Sequence, residues 1–225
     1  MAVLNHSTLV SDDEVKTALA VLQTQIHRDF APWGIDDELA FVAKGAEPTA
    51  GSWWLVIEDD SEYAGAVAYH TLTAEGLPQV KISVANAKQA NWEWTMAASH
   101  DLMEMLANPM LNLTVFVAAD NGTSGKLYVR EICDPVSSPE YTYMINGVTV
   151  SNFVFPSWFE SFRKPGSSQF DFGNHLTAPF ELGKGAYMTG FEVKDGSGWR
   201  PVFSQRQLQA SEPMTAARKK RSAKR

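Results

Sequence analysis

His100 and Glu104 stand four residues apart in a stretch, Trp92 to Ala107, that reads as a helix. A helix turns about 100° per residue, so the two side chains project side by side from one face. An imidazole nitrogen and a carboxylate oxygen at that spacing can bind one cation, as the two histidines of an H-E-x-x-H motif do. Asp101 follows the first ligand, where that motif carries its general base. The chemistry such a site supports is hydrolysis: zinc polarises a scissile carbonyl and lowers the pKa of its water, and the base takes the proton. Thr95, Met96, Ala97, Ala98 and Ser99, just before the pair, are small or apolar. They suit a low-dielectric wall around a metal, and equally a helix that is simply core.

A zinc site needs a third protein ligand from outside this helix. Glu131 is the first choice. Leu127 to Cys133 reads as a strand, in which Leu127, Val129, Glu131 and Cys133 share one face. A carboxylate on that apolar face needs a partner, because burying it alone is costly; a salt bridge or a loop hydrogen bond would also serve. Asp134 is the second choice, although before Pro135 it also fits the start of a turn. His70 closes a candidate strand over 64–70 and reads as a ligand, a substrate contact or a satisfied buried histidine. His175 lies in a loop-rich region and reads as exposed. Cys133 reads as a small core residue before a thiolate ligand, and Met188 as core filler before an apolar floor beneath a metal.

Other elements must position these groups. Ser11-Asp12-Asp13-Glu14 is a capping box, and Val15, Leu19, Leu22 and Ile26 continue it as an amphipathic helix over 12–29. Residues 39–43, 53–57 and 79–84 read as strands, as do 113–118 around the Asn121-Gly122 turn. Residues 141–145 and 148–155 flank Asn146-Gly147, the strongest short hairpin signal. Asn108-Pro109 ends the central helix, since a residue before proline avoids helical geometry. Beyond Pro156 the chain is rich in Gly, Ser, Pro and aromatics and reads as loops over the core, with a strand at 187–193. The expected class is α+β, with one domain over 1–204 and a basic tail over 205–225.

Composition narrows the field. The chain has 225 residues, 44% of them hydrophobic, enough for a real core. No apolar run approaches the roughly 18 residues of a membrane span. The N-terminal stretch lacks the basic and apolar regions of a signal peptide, so a cytoplasmic or virion location is expected. One cysteine excludes an internal disulfide and a Cys-rich zinc finger. No G-x-S-x-G elbow, phosphate-binding G-x-x-x-x-G-K-[ST] loop or G-x-G-x-x-G occurs. The net charge is −7, yet six of the last eight residues, 218–225, are Lys or Arg. Such a block is a solvated tail or a contact for nucleic acid or an acidic partner.

Several ordered segments resemble a known group. Ser99-His100-Asp101-Leu102-Met103-Glu104-Met105-Leu106-Ala107-Asn108-Pro109 is followed by Glu131-Ile132-Cys133-Asp134-Pro135. Next come Ile145-Asn146-Gly147-Val148-Thr149-Val150-Ser151-Asn152-Phe153-Val154, then Ala178-Pro179-Phe180-Glu181-Leu182 and Gly185-Ala186-Tyr187-Met188. Together with Asp29-Phe30-Ala31-Pro32-Trp33-Gly34 they cover most of residues 1–203. The set resembles bacterial and phage zincin-like metallopeptidases, whose helix has the form S-H-E-x-x-E-M-L-x-D-P. The resemblance implies a zincin-like mixed sheet, a zinc ion at His100 and Glu104, and ancestral peptidase chemistry. Two departures stand out. The group's base is Glu, while Asp101 is shorter by about 1.5 Å of reach, and a misplacement of about 1 Å can cost on the order of 10²-fold in rate. The group's later Asp is Asn108 here. Retained ligands with an eroded base imply a weakened or inactive hydrolase. The alternative is a non-catalytic component of a phage particle or other assembly, packed on protein neighbours.

Overall fold

The computed structural model describes residues 1–119, 124–196 and 198–204. The expected Asn121-Gly122 turn and the basic segment 205–225 lie outside the described residues. The architecture is mixed α/β with several sheets and few helices. In chain order the first elements are β1 (Ala2–Asn5), α1 (Asp12–Thr24), β2 (Ala40–Val42), β3 (Trp54–Glu58) and β4 (Ala68–Leu72). There follow β5 (Pro78–Ser83), α2 (Val84–Gln89), α3 (Trp94–Ala107), β6 (Thr114–Ala118) and β7 (Gly125–Val129). The hairpin β8 (Tyr143–Ile145) and β9 (Val148–Val150) precedes β10 (Tyr187–Glu192) and β11 (Trp199–Phe203).

Five strands form a sheet in the order β2-β1-β3-β5-β4. All its pairings are parallel except that of β4, which runs antiparallel along β5 and forms one edge. A second sheet has the antiparallel order β11-β10-β7-β6. Gly125 lies against the Phe116 ring: a Cβ there would meet ring carbons at 2.5 Å, so only glycine fits beneath it. Asn146 and Gly147 both take positive φ, at 50° and 83°, which gives the tight turn between β8 and β9 its type I′ form.

One hydrophobic cluster runs from Val3 to Met188 and takes in residues of both larger sheets, α1 and α3. α3 is its axis, with every residue from Thr95 to Ala107 buried. A helix buried all round has no solvent face on which to place charge, so its polar residues must find partners inside. α3 packs on β5, β4 and β9.

α1 begins as its capping box dictates: Glu14 N donates to Ser11 Oγ at 3.2 Å and Ser11 N to Glu14 Oε2 at 2.7 Å. The helix then widens into a π turn over Gln25–Asp29, closed by Phe30 N donating to the Gln25 carbonyl at 2.9 Å. The wider turn brings the buried Gln25 amide to α3, where Ser99 Oγ donates to Gln25 Oε1 at 2.7 Å. Gln25 Nε2 donates to the Ser151 carbonyl at 2.9 Å and to the Tyr143 hydroxyl at 3.0 Å. Ser151 N donates to Ser99 Oγ at 3.0 Å, and Tyr143 donates to Asp29 Oδ2 at 2.8 Å. Burial, followed by the Asp29 carboxylate, pushes the Tyr143 phenol far above its usual range, so it acts as a neutral donor.

Where sequence and structure differ, the reasons are local. β1 and β11 fall in segments with no expected strand, and Val84 opens α2 instead of ending a strand. The strand expected over 64–70 lies at Ala68–Leu72, which puts His70 at its centre. The strand expected over 127–133 stops at Val129. Pro135 has no N–H for a ladder, and Val136 N bonds back to the Cys133 carbonyl in a 3₁₀ turn over Asp134–Val136.

Because Ser99 bridges α1, α3 and the hairpin, Ser99→Ala should cost about 1–3 kcal/mol by leaving buried groups unpaired. Thr24→Ala, at an exposed hydroxyl on α1, should stay within about 0.5 kcal/mol. Denaturant unfolding of the two variants checks the contrast.

Candidate metal centre

His100 and Glu104 share the inner face of α3 that their spacing implies: His100 Nε2 lies 3.3 Å from Glu104 Oε1. The third group beside them is Asp134, whose Oδ1 is 3.4 Å from His100 Nε2. His100, Glu104 and Asp134 offer ligand atoms that all lie within 4.8 Å of one another, and all three residues are buried. Asp134 arrives through the same 3₁₀ turn that ends the strand early. Glu131 is also buried, but belongs to no such group.

The separations can be set beside those of a zinc ligand set. Tetrahedral zinc with bonds of about 2.1 Å places its ligands about 3.4 Å apart. The two separations from His100 Nε2, 3.3 and 3.4 Å, are of that size and long for charge-assisted hydrogen bonds. Burial disfavours the His100 cation, yet the Glu104 carboxylate, then Asp134, outweigh it and hold the imidazole well above its ordinary pKa. Proton and metal therefore compete for one nitrogen. His100 Nδ1 is buried with no hydrogen-bond partner among the described residues, and the Trp92 ring stands 6.4 Å away, centroid to centroid.

Asp101 turns toward the other side of Glu104. Its Oδ1 lies 2.9 Å from His70 Nε2, which is 3.9 Å from Glu104 Oε2. His70, Asp101 and Glu104 form a second group of possible ligands. His70 is buried, at 5% exposed, and its Nε2 pairs with the Asp101 carboxylate without meeting hydrogen-bond geometry at either ring nitrogen. Its signal in sequence was faint, since a single histidine on a strand has no spacing to read.

His70, His100, Asp101 and Glu104, though not Asp134, line one cleft of about 770 Å³, open solvent included. Its walls include Tyr63, Tyr69, Trp92, Leu111 and Tyr187, with His70, His100, Asp101 and Glu104 at its base. Met188 packs in the core while its neighbour Tyr187 lines the cleft. His175 is exposed and stacks edge-on with Tyr141, a ring outside the cleft lining. Burial raises the Cys133 thiol well above its usual pKa, and Glu104 adds to the effect, so it stays a neutral core residue. Cys133 contributes its backbone N–H, 3.4 Å from Glu104 Oε1.

Asn108 has a different task. Its Oδ1 accepts from the backbone N–H groups of Asn112 and Leu113 at 3.1 and 3.0 Å, and its Nδ2 donates to the Leu113 carbonyl at 3.3 Å. It anchors the chain leaving α3 and sits in neither ligand group.

In comparisons with known proteins, the chain matches no family model, no curated protein and no solved structure. Among the described residues, no helix is long and apolar enough to cross a membrane.

Asn108→Ala should lower stability by about 1–3 kcal/mol, through the backbone groups it releases. Metal affinity should be unchanged, and thermal melts with metal titration separate the two effects.

Proposed function

We propose that the chain is a metal-binding protein on a zincin-type scaffold, ancestrally a zinc-dependent peptidase-type hydrolase whose activity is weak here. The observation that carries the reading is the set His100, Glu104 and Asp134, buried together with two separations that match zinc coordination edges. A mixed sheet with an antiparallel edge strand beside the motif helix supports the scaffold. Bound zinc would supply Lewis-acid activation of a carbonyl and of water. The chain's own part is to hold the three ligands, to wall the cleft with aromatics and to place Asp101 beside them. Asp101 lies close to His70, and a base occupied elsewhere and shortened by a methylene accepts a proton poorly. Slow turnover follows.

Elemental analysis of the untagged protein should find zinc. His100→Ala and Asp134→Asn should each reduce metal retention at this group at least about 100-fold, while Glu131→Gln keeps it. Peptide hydrolysis should be slow and abolished by chelation. Metal that survives Asp134→Asn and leaves with Glu131→Gln would reverse the ligand assignment.

A second reading, a non-catalytic part of a larger assembly, draws on a different surface. Phe116, Leu127, Phe191 and Trp199 face one another across the four-stranded sheet. Phe116 is 54% exposed and Trp199 48%, with half-buried Leu127 and Phe191 between them, an apolar strip of the kind that marks interaction sites. Phe116→Ser combined with Trp199→Ser should shift sedimentation toward the monomer without touching metal content. An unchanged sedimentation profile counts against this reading.

A further inference from the structure

Glu104 is placed between two histidines, one for each carboxylate oxygen. Oε1 faces His100 at 3.3 Å and Oε2 faces His70 at 3.9 Å. We propose that Glu104 is a bridging ligand and that the centre is dinuclear, with a second divalent cation held by His70, Asp101 and Glu104. The inference rests on the metal site proposed above and adds an ion to it.

Three observations lead here. His70 is nine-tenths buried, sits at the centre of β4 and turns Nε2 toward Asp101 and Glu104 of α3, yet neither ring nitrogen meets hydrogen-bond geometry. A buried imidazole normally finds a partner, and a cation at Nε2 is one. The second observation is spacing. Ligands at right angles around a cation with bonds of about 2.1 Å stand about 3.0 Å apart, and His70 Nε2 to Asp101 Oδ1 is 2.9 Å. The 3.9 Å to Glu104 Oε2 requires a small closure of that side chain on binding.

Charge is the third. Asp101, Glu104 and Asp134 bring three carboxylates into one buried cluster whose ion pairs include those to His70 and His100. One dication leaves a net −1 in a low-dielectric interior, which is expensive; a second brings the sum to +1, which a hydroxide from the cleft would offset. Two-metal hydrolytic sites hold their ions about 3.5–4 Å apart, a span that one carboxylate can bridge. The arrangement also changes what Asp101 means. At the position of a general base, Asp is too short. As a ligand one residue after His100, reaching across to β4, its length fits the observed approach to His70.

The test is metal stoichiometry in the full-length protein, stripped by chelator and then titrated with Zn²⁺ alone, read by calorimetry and elemental analysis. Two equivalents are expected in the native chain. His70→Gln, which keeps the side-chain volume, should bind one, with affinity for the other weakened at least about 100-fold. Asp134→Asn should lose the opposite equivalent, and Glu104→Gln should impair both. Mn²⁺ loaded into the native chain gives a readout that needs no variant: two ions about 4 Å apart are exchange-coupled in electron paramagnetic resonance, whereas single ions give an isolated six-line spectrum. One equivalent in both the native chain and His70→Gln, with an isolated Mn²⁺ spectrum, overturns the bridge and leaves the single-metal reading standing. Two equivalents in both place the second ion elsewhere and also overturn the bridge. No binding at all overturns both readings.

Discussion

The burial of α3 sets the terms for everything around it. Every residue from Thr95 to Ala107 is enclosed, and among them are an imidazole and two carboxylates. Taking ionisable groups out of water costs several kcal/mol each, even after relaxation. The helix can carry them only if surrounding elements bring counter-groups to meet it. β4 brings His70, the turn after β7 brings Asp134, and Cys133 turns a backbone N–H toward Glu104. Two separate segments thus converge on α3. The loop after β7 leaves the ladder at the Pro135 turn, and that turn sets Asp134 beside His100.

A second polar layer fixes the rotation of the helix. Ser99 precedes His100, so its hydrogen bonds to Gln25 and Ser151 set the azimuth of the residue that follows. Gln25 reaches Ser99 because α1 ends in a π turn, a feature that recurs near functional sites. The network continues through Tyr143 to Asp29, tying α1 and the β8–β9 hairpin to α3. A helix held by apolar packing alone tolerates small rotations. One held by directional bonds at Ser99 does not, and a rotation of a few degrees would move the His100 ring relative to Asp134.

What could be read from the sequence follows from how local its cause is. α1 and α3 were legible because capping, period and the Asn108-Pro109 stop lie within each segment. The β8–β9 turn was legible because Asn146-Gly147 encodes positive φ by itself. β1 was not: four residues, Ala2–Asn5, gain their identity only from parallel partners at positions 40–42 and 54–57. β11 contains Pro201, which argues against a strand in sequence, but as an edge strand it needs no ladder bond on its outer side. The ligand pair on α3 was legible from i, i+4 spacing. Strand alternation points to Glu131, while the nearness of Asp134 to His100 depends on the 3₁₀ turn after β7, which spacing alone does not encode. His70 stayed ambiguous because only the tertiary placement of β4 against α3 gives it a neighbour.

The difference between Asp101 and the glutamate of related motifs then has a structural sense that erosion alone does not supply. The Asp101 carboxylate is nearly buried and approaches a histidine on another element at 2.9 Å. Keeping His70 buried with Nδ1 short of a hydrogen bond is itself costly. A fold that keeps both members of such a pair beside Glu104 is holding a polar site together against its own stability. That expense is characteristic of places where structure serves a ligand instead of the core.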